Sequence, residues 1–428
     1  MVYIRQNQLP KLKEYKYSGV DHSLLSRYVL KPFYTHVAIK CFPMSMAPNL
    51  ITLTGFGFVI FNLLTLLWYN PTLDQDCPPW VYASWGIGLF LYQTFDAVDG
   101  TQARRTHQSG PLGELFDHGV DACNTTLEVL LFTGAMNLGQ GWRTILILFG
   151  ALLTFYVQTW DEYHTRTLTL GLISGPVEGI ITLCIVYGFT AIKGGASFWQ
   201  QSMLKAFGIG KHDFIPEIVY ELPFADWYIV YGGAVLIFNT LQSSQNVIKT
   251  RRERGERSRF ALLGLLPFFA TWTLIPLYLF LQPVILHEHL VPFVFFVGLV
   301  NAYSVGQIIT AHLVKGEFPY GNILNGPLLF GVVNSLGPWL ENNIGLGWPS
   351  LLGDDVYQLA FLYLSLGLAA GIYGSFVVSP TLSDHYTLLR ALIYFQADVI
   401  LAICDYLDIW CLTIKHPYNE GEESKKTS

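Results

Sequence analysis

Hydrophobic residues in this chain fall into long runs, not into the alternation of a half-buried strand or the narrow stripe of a soluble surface helix. Ten runs approach or exceed the roughly 20 residues that a helix needs to cross a hydrocarbon core. They cover 49–69, 80–100, 119–138, 144–163, 175–192, 226–246, 260–282, 288–311, 326–344 and 355–378, the third and ninth being the most polar. Ahead of them, residues 23–42 (SLLSRYVLKPFYTHVAIKCF) mix apolar and basic positions. That mixture predicts an amphipathic helix in the membrane interface, although a cap packed on the bundle reads equally well. The expected fold is all-α, a polytopic membrane helix bundle of about ten transmembrane helices with an N-terminal interfacial amphipathic helix. Residues 1–48 form a cytoplasmic N-terminal segment, 49–378 the transmembrane domain, and 379–428 a C-terminal segment whose polar end, NEGEESKKTS, is expected to be disordered.

Composition agrees with the pattern. The chain is 52% hydrophobic and only 13% charged, where a soluble protein carries about 25% charged residues. Disorder, collagen, coiled coil and a basic nucleic-acid-binding protein are excluded. Six cysteines lie scattered without a Cys-x-x-Cys pair, which supports neither a disulfide framework nor a zinc site. Residues 1–23 are polar and Lys-rich and lack the apolar stretch of a cleavable signal peptide. The net charge of −6 matters less than where the cations sit. With ten spans, one side receives the Lys-rich N-terminus, Arg104, Arg105, Arg166, Lys315 and the basic run 249–259, while the other holds only Arg143, Lys193, Lys205 and Lys211. The basic side is expected to be cytoplasmic.

Charge inside a span is costly, so an intramembrane carboxylate points to function. Residues 96–121, DAVDGTQARRTHQSGPLGELFDHGVD, gather several. Asp96 and Asp99 end the second span, and Asp117 and Asp121 open the third. Spacings of three and four put each pair on one helix face. Gly110 and Pro111 signal a turn between the spans, so the two faces can meet. Four carboxylates together repel unless cations sit among them, and all-oxygen ligands suit Mg²⁺ or Mn²⁺. Two such ions would suit displacement at phosphorus. Gly100, Ala103 and Gly113 leave room for a phosphate or for a close helix contact, and Arg104 can grip a diphosphate. The competing reading of the aspartates is a solvated loop.

These residues spell Asp-x2-Asp-Gly-x2-Ala-Arg-x8-Gly-x3-Asp-x3-Asp, from Asp96 to Asp121, without departure. The chain therefore resembles the CDP-alcohol phosphotransferase class-I family. The surrounding ARRTHQSGPLGELFDHGVD and the opening Pro48-Asn49-Leu50-Ile51-Thr52 look like its eukaryotic cholinephosphotransferase and ethanolaminephosphotransferase branch. The resemblance implies transfer of phosphocholine or phosphoethanolamine from CDP-choline or CDP-ethanolamine to diacylglycerol, with release of CMP. By position, Asp96 and Asp117 would bridge two Mg²⁺ ions, and Asp99 and Asp121 would each complete one site. Asn49, Gly100 and Arg104, with Glu114, would contact the donor. The resemblance also implies a homodimer in the endoplasmic reticulum membrane.

A hydroxyl attacking phosphorus needs a base with a pKa near neutral. His118 fits, with Glu114 one turn earlier as its orienting carboxylate; Asp121 and Glu178 are the alternatives. Glu162 and His164 form a lesser candidate pair. His22, His36, His212, His287, His289, His312, His385 and His416 show no constellation in sequence. Two rival functions remain at this stage: an intramembrane transferase of prenyl-diphosphate type, and a cation transporter. A transporter would favour midplane carboxylates on broken helices in two related halves.

Overall fold

The computed structural model describes residues 4–21, 23–170, 176–212, 214–377 and 399–417. His22, His385, residues 378–398 and the polar C-terminal tail lie outside them. Every apolar run proposed above is helical: α1 Pro48–Tyr69, α2 Pro79–Arg105, α3 Pro111–Ala135, α4 Trp142–Thr165, α5 Pro176–Lys193, α6 Phe224–Glu253, α7 Leu266–Leu281, α8 Leu290–Leu313, α9 Asn325–Ile344 and α10 Asp355–Val377. A 3-10 stretch, Ser258–Leu265, leads into α7. A final helix, α11, covers Val399–Leu407. Proline opens α1, α2 and α3, where its missing N–H costs nothing and its fixed φ suits the first turn.

Among the described residues, six helices are long and apolar enough by themselves to cross a membrane: α1, α4, α6, α7 with its lead-in from Phe260, α8 and α10. Helices α2 and α3 carry the acidic residues, which lowers their mean hydropathy. The chain is thus an all-α membrane bundle. Its spine is α3, which packs on α1, α4 and α8, while α2 packs on α1 and α5, and α6 on α4. Two glycines permit close contacts between helices. A Cβ on Gly298 of α8 would fall 2.4 Å from the Thr126 side chain of α3, and one on Gly88 of α2 would fall 2.6 Å from Asn62 of α1.

The N-terminal segment is helical but broken, with a π-helical turn at Ser26–Leu30, an α turn at Lys31–His36 and a 3-10 turn at Ala38–Cys41. Leu30, Tyr34, Ala38 and Ile39 are buried with Ile51 of α1 and Val98 of α2. Tyr28, Val29 and Val37 point outward, so the segment caps the bundle with one face and offers apolar side chains on the other. A short strand, β1 Gly19–Asp21, pairs in parallel with β2 Leu168–Leu170 after α4, a pairing that hydrophobic periodicity did not indicate. The last turn of α2 is tied to the same segment. Gln102 donates to the Pro43 and Met46 carbonyls at 2.9 and 2.8 Å, and Arg105 to the Phe42 carbonyl at 2.7 Å.

Candidate active site

Helices α2 and α3 splay apart around a cavity of about 1450 Å³ at the end of the bundle where the N-terminal segment sits. All eight positions of the signature line it. Ligand oxygens of Asp96, Asp99 and Asp117 lie within 4.8 Å of one another. Two of the aspartates have local anchors. The Thr52 hydroxyl of α1 donates to Asp99, and the buried Tyr92 hydroxyl of α2 donates to Asp121. By contrast, Oδ1 of Asp96 and Oδ1 of Asp117 are buried with no hydrogen-bond partner. A buried polar atom left without a partner costs about 1–3 kcal/mol, and more when charged. Carboxylate oxygens that converge yet remain unpaired are the donor set of a hard divalent cation, and this cluster could hold one.

The glycines of the signature are not there for helix packing. A Cβ on Gly113 would meet nothing within 4 Å, and one on Gly100 would meet only Arg104 Nη1 at 3.6 Å. Both face open cavity, which suits a ligand brought close to backbone. Arg104 is exposed beside them, its Nη2 donating to Thr101 at 3.1 Å. Asn49 lies across the cavity with its amide engaged, donating to the Cys411 carbonyl at 3.0 Å. Ile409, Trp410, Cys411 and Thr413, beyond α11, thus reach the cavity wall. All six cysteines are free.

The expected pairing of His118 with Glu114 is corrected by the geometry. The carboxylate beside His118 is Glu162 of α4, with Oε2 3.9 Å from Nδ1. Glu114 makes no ion-pair contact with His118; it accepts a hydrogen bond from Tyr15 of the N-terminal segment and approaches His312 of α8 at 3.8 Å. A spacing of four residues places Glu114 and His118 on one face, but the Glu114 carboxylate is engaged by Tyr15 and His312. Glu162 was visible in sequence only as a lesser candidate, and His312 carried no signal because its partners come from other helices. Glu178 also lines the cavity and accepts from the Ser23 hydroxyl. His164 is held apart, its Nδ1 3.1 Å from Arg251. His416 pairs with Asp408 at 2.9 Å on the surface.

From the acids, the cavity continues into an apolar arm between α3, α4, α5 and α6, walled by residues such as Phe132, Phe149, Leu183 and Leu236. An acidic end joined to an apolar arm fits an enzyme whose two substrates differ that much in solubility. Residues 45–206 match the model of the CDP-alcohol phosphatidyltransferase family. The chain is 37% identical to choline/ethanolaminephosphotransferase 1 of Saccharomyces cerevisiae, over 96% of this chain and 98% of the yeast protein. It is 40% identical to choline/ethanolaminephosphotransferase 1 of Arabidopsis thaliana, over 73% and 79% respectively. It is 28% identical to human ethanolaminephosphotransferase 1, over 99% and 98%. The chain belongs to the CDP-alcohol phosphatidyltransferase family, and it is a membrane-embedded phosphotransferase of that family. The prenyl-diphosphate and transporter readings are set aside.

Proposed function

We propose that this protein transfers phosphocholine or phosphoethanolamine from CDP-choline or CDP-ethanolamine to diacylglycerol, forming phosphatidylcholine or phosphatidylethanolamine and CMP. The observation that carries this reading is the single cavity joining the complete signature to an apolar arm. The names of the relatives support the substrate pair.

In this reading Asp96, Asp99, Asp117 and Asp121 would hold two Mg²⁺ ions, for which Mn²⁺ could substitute, and the bound ions would supply positive charge against the diphosphate. The orphaned oxygens of Asp96 and Asp117 support that assignment. Arg104 grips the diphosphate from the open side. The backbone at Gly100 and Gly113 lets it approach, and Asn49 orders the wall formed with Cys411. The diacylglycerol hydroxyl arrives from the apolar arm and attacks the phosphorus that carries the amino alcohol. Oε2 of Glu162 lies 3.9 Å from Nδ1, beyond hydrogen-bond length, and acts on His118 through its charge, favouring the protonated imidazole. His118 takes the hydroxyl proton as the phosphorus–oxygen bond forms. Arg104 lines the cavity, and Lys315 and Arg105 bind the N-terminal segment at Glu14 and the Phe42 carbonyl, which supports a cytosolic mouth. An endoplasmic reticulum membrane and a homodimer complete the proposal.

The test is transfer from CDP-choline and CDP-ethanolamine, side by side, by purified protein with diacylglycerol and Mg²⁺. Lipid product and equal CMP from either donor is the expected result. Folded protein that makes neither lipid, with metal present, would overturn the reading.

A further inference from the structure

The aspartate cluster does not account for every converging group near the cavity. Three helices bring a second set together: Glu114 from α3, Glu162 from α4 and His312 from α8. One ligand atom from each lies within 4.8 Å of the others. The side chains of Glu114 and Glu162 are only 4% and 5% exposed, and that of His312 14%. They are close, yet they do not hydrogen-bond to one another; the Glu114 to His312 separation is 3.8 Å, too long for a hydrogen bond. Oε1 of Glu114 is buried and has no partner at all, while its other oxygen accepts from Tyr15. Among the described residues, no lysine or arginine comes within ion-pair distance of either carboxylate. Two buried carboxylates side by side are stabilised only by a proton or by a compensating cation, and the unpaired Oε1 of Glu114 faces its neighbours ready to accept the cation.

We propose that Glu114, Glu162 and His312 form a separate cation site for a transition-metal dication, zinc by ligand preference. The donor set distinguishes it from the aspartate cluster. Four aspartates offer only hard oxygen, which suits Mg²⁺, whereas an imidazole nitrogen with two carboxylates suits zinc, manganese or iron. Tyr15 acts as the outer hydrogen-bond partner that orients Glu114, as ligand carboxylates usually require. The adjacent Glu14 pairs with Lys315 at 2.5 Å just beyond α8, so Tyr15 is anchored to the helix that carries His312. The ion would join α3, α4 and α8 under the N-terminal segment. Through Glu162, 3.9 Å from His118 Nδ1, it would also set the charge that faces His118, which makes Glu162 and His312 positioning residues.

The experiment is metal analysis of the full-length protein, purified in detergent without chelator from zinc-supplemented cells and dialysed against Mg²⁺. One zinc per chain is expected in the wild type. It should persist in Asp96→Asn/Asp117→Asn, which disables the aspartate cluster, and disappear in both His312→Ala and Glu162→Gln. Cobalt substitution supplies a readout independent of turnover: a d–d absorption band that the aspartate variant keeps and the Glu162→Gln variant loses. Monodisperse elution and an unchanged melting temperature in Glu162→Gln separate ligand loss from misfolding. Three results would overturn the proposal: no transition metal in the wild type, metal retained in Glu162→Gln, or metal lost in the aspartate variant alone. None of these bears on whether the aspartates serve phosphoryl transfer.

Discussion

Replacing Tyr92 by Phe tests the aspartate site through one oxygen atom. Tyr92 is 1% exposed and its hydroxyl donates to Asp121 Oδ1. Its ring belongs to the core around Trp85 and Leu89, so the phenylalanine ring fills the same space and leaves no cavity. What disappears is one hydrogen bond to a charged acceptor, worth about 1.5–3 kcal/mol. Outer-shell partners of metal ligands cost about 10–100-fold in affinity when removed, which agrees with that energy at about 1.4 kcal/mol per decade. The Mg²⁺ concentration giving half-maximal CMP release should therefore rise about 10–100-fold, with much of the rate restored at saturating Mg²⁺. The assay is a Mg²⁺ titration of CMP release at fixed donor and diacylglycerol, with the melting temperature as control. A half-saturating concentration within about twofold of wild type, against that expected loss, would refute the role given to Asp121. Thr52→Val, which strips the anchor from Asp99, should shift the titration the same way. If the two aspartates serve different ions, the combined effects should add.

Other outcomes follow from the same geometry. His118→Ala should lower turnover by about 10²–10⁴-fold, the usual contribution of a positioned base, while Mg²⁺-dependent binding of CDP-alcohol survives; near-normal turnover would remove His118 from the mechanism. Gly113→Ala adds a methyl group that meets nothing within 4 Å, so the melting temperature should hold while KM for the donor rises. Gly298→Ala should do the reverse: with Thr126 at 2.4 Å, overpacking is expected to cost about 1–3 kcal/mol, read as a lower melting temperature. Asn49→Ala removes the hydrogen bond to Cys411, and limited proteolysis should then cut more quickly around Trp410; an unchanged cleavage rate would show that this bond does not hold the segment.

Much of this protein was legible in its sequence because a bilayer imposes local rules. Every backbone polar group in hydrocarbon must be satisfied within its own helix or a closed barrel, so each apolar run declared a helix without knowledge of its neighbours. The aspartate signature was equally legible, since its eight positions lie on two consecutive helices joined by a short turn, and helical spacing alone orders each face. The short β1–β2 pairing and the broken form of the N-terminal segment were not, because both depend on docking against distant parts of the chain. Glu114 shows where local reasoning stops. Its spacing to His118 suggested a pair, but the hydroxyl of Tyr15 and the approach of His312 claim the carboxylate, and Glu162 takes its place. The sequence by itself determined an all-helical membrane bundle with an acidic cluster between its second and third spans, because those features arise from contacts a few residues apart. Tertiary structure alone decided which carboxylate faces His118, which hydroxyls hold Asp99 and Asp121, and that residues beyond α11 return to Asn49, because each of those contacts joins helices that no periodicity relates.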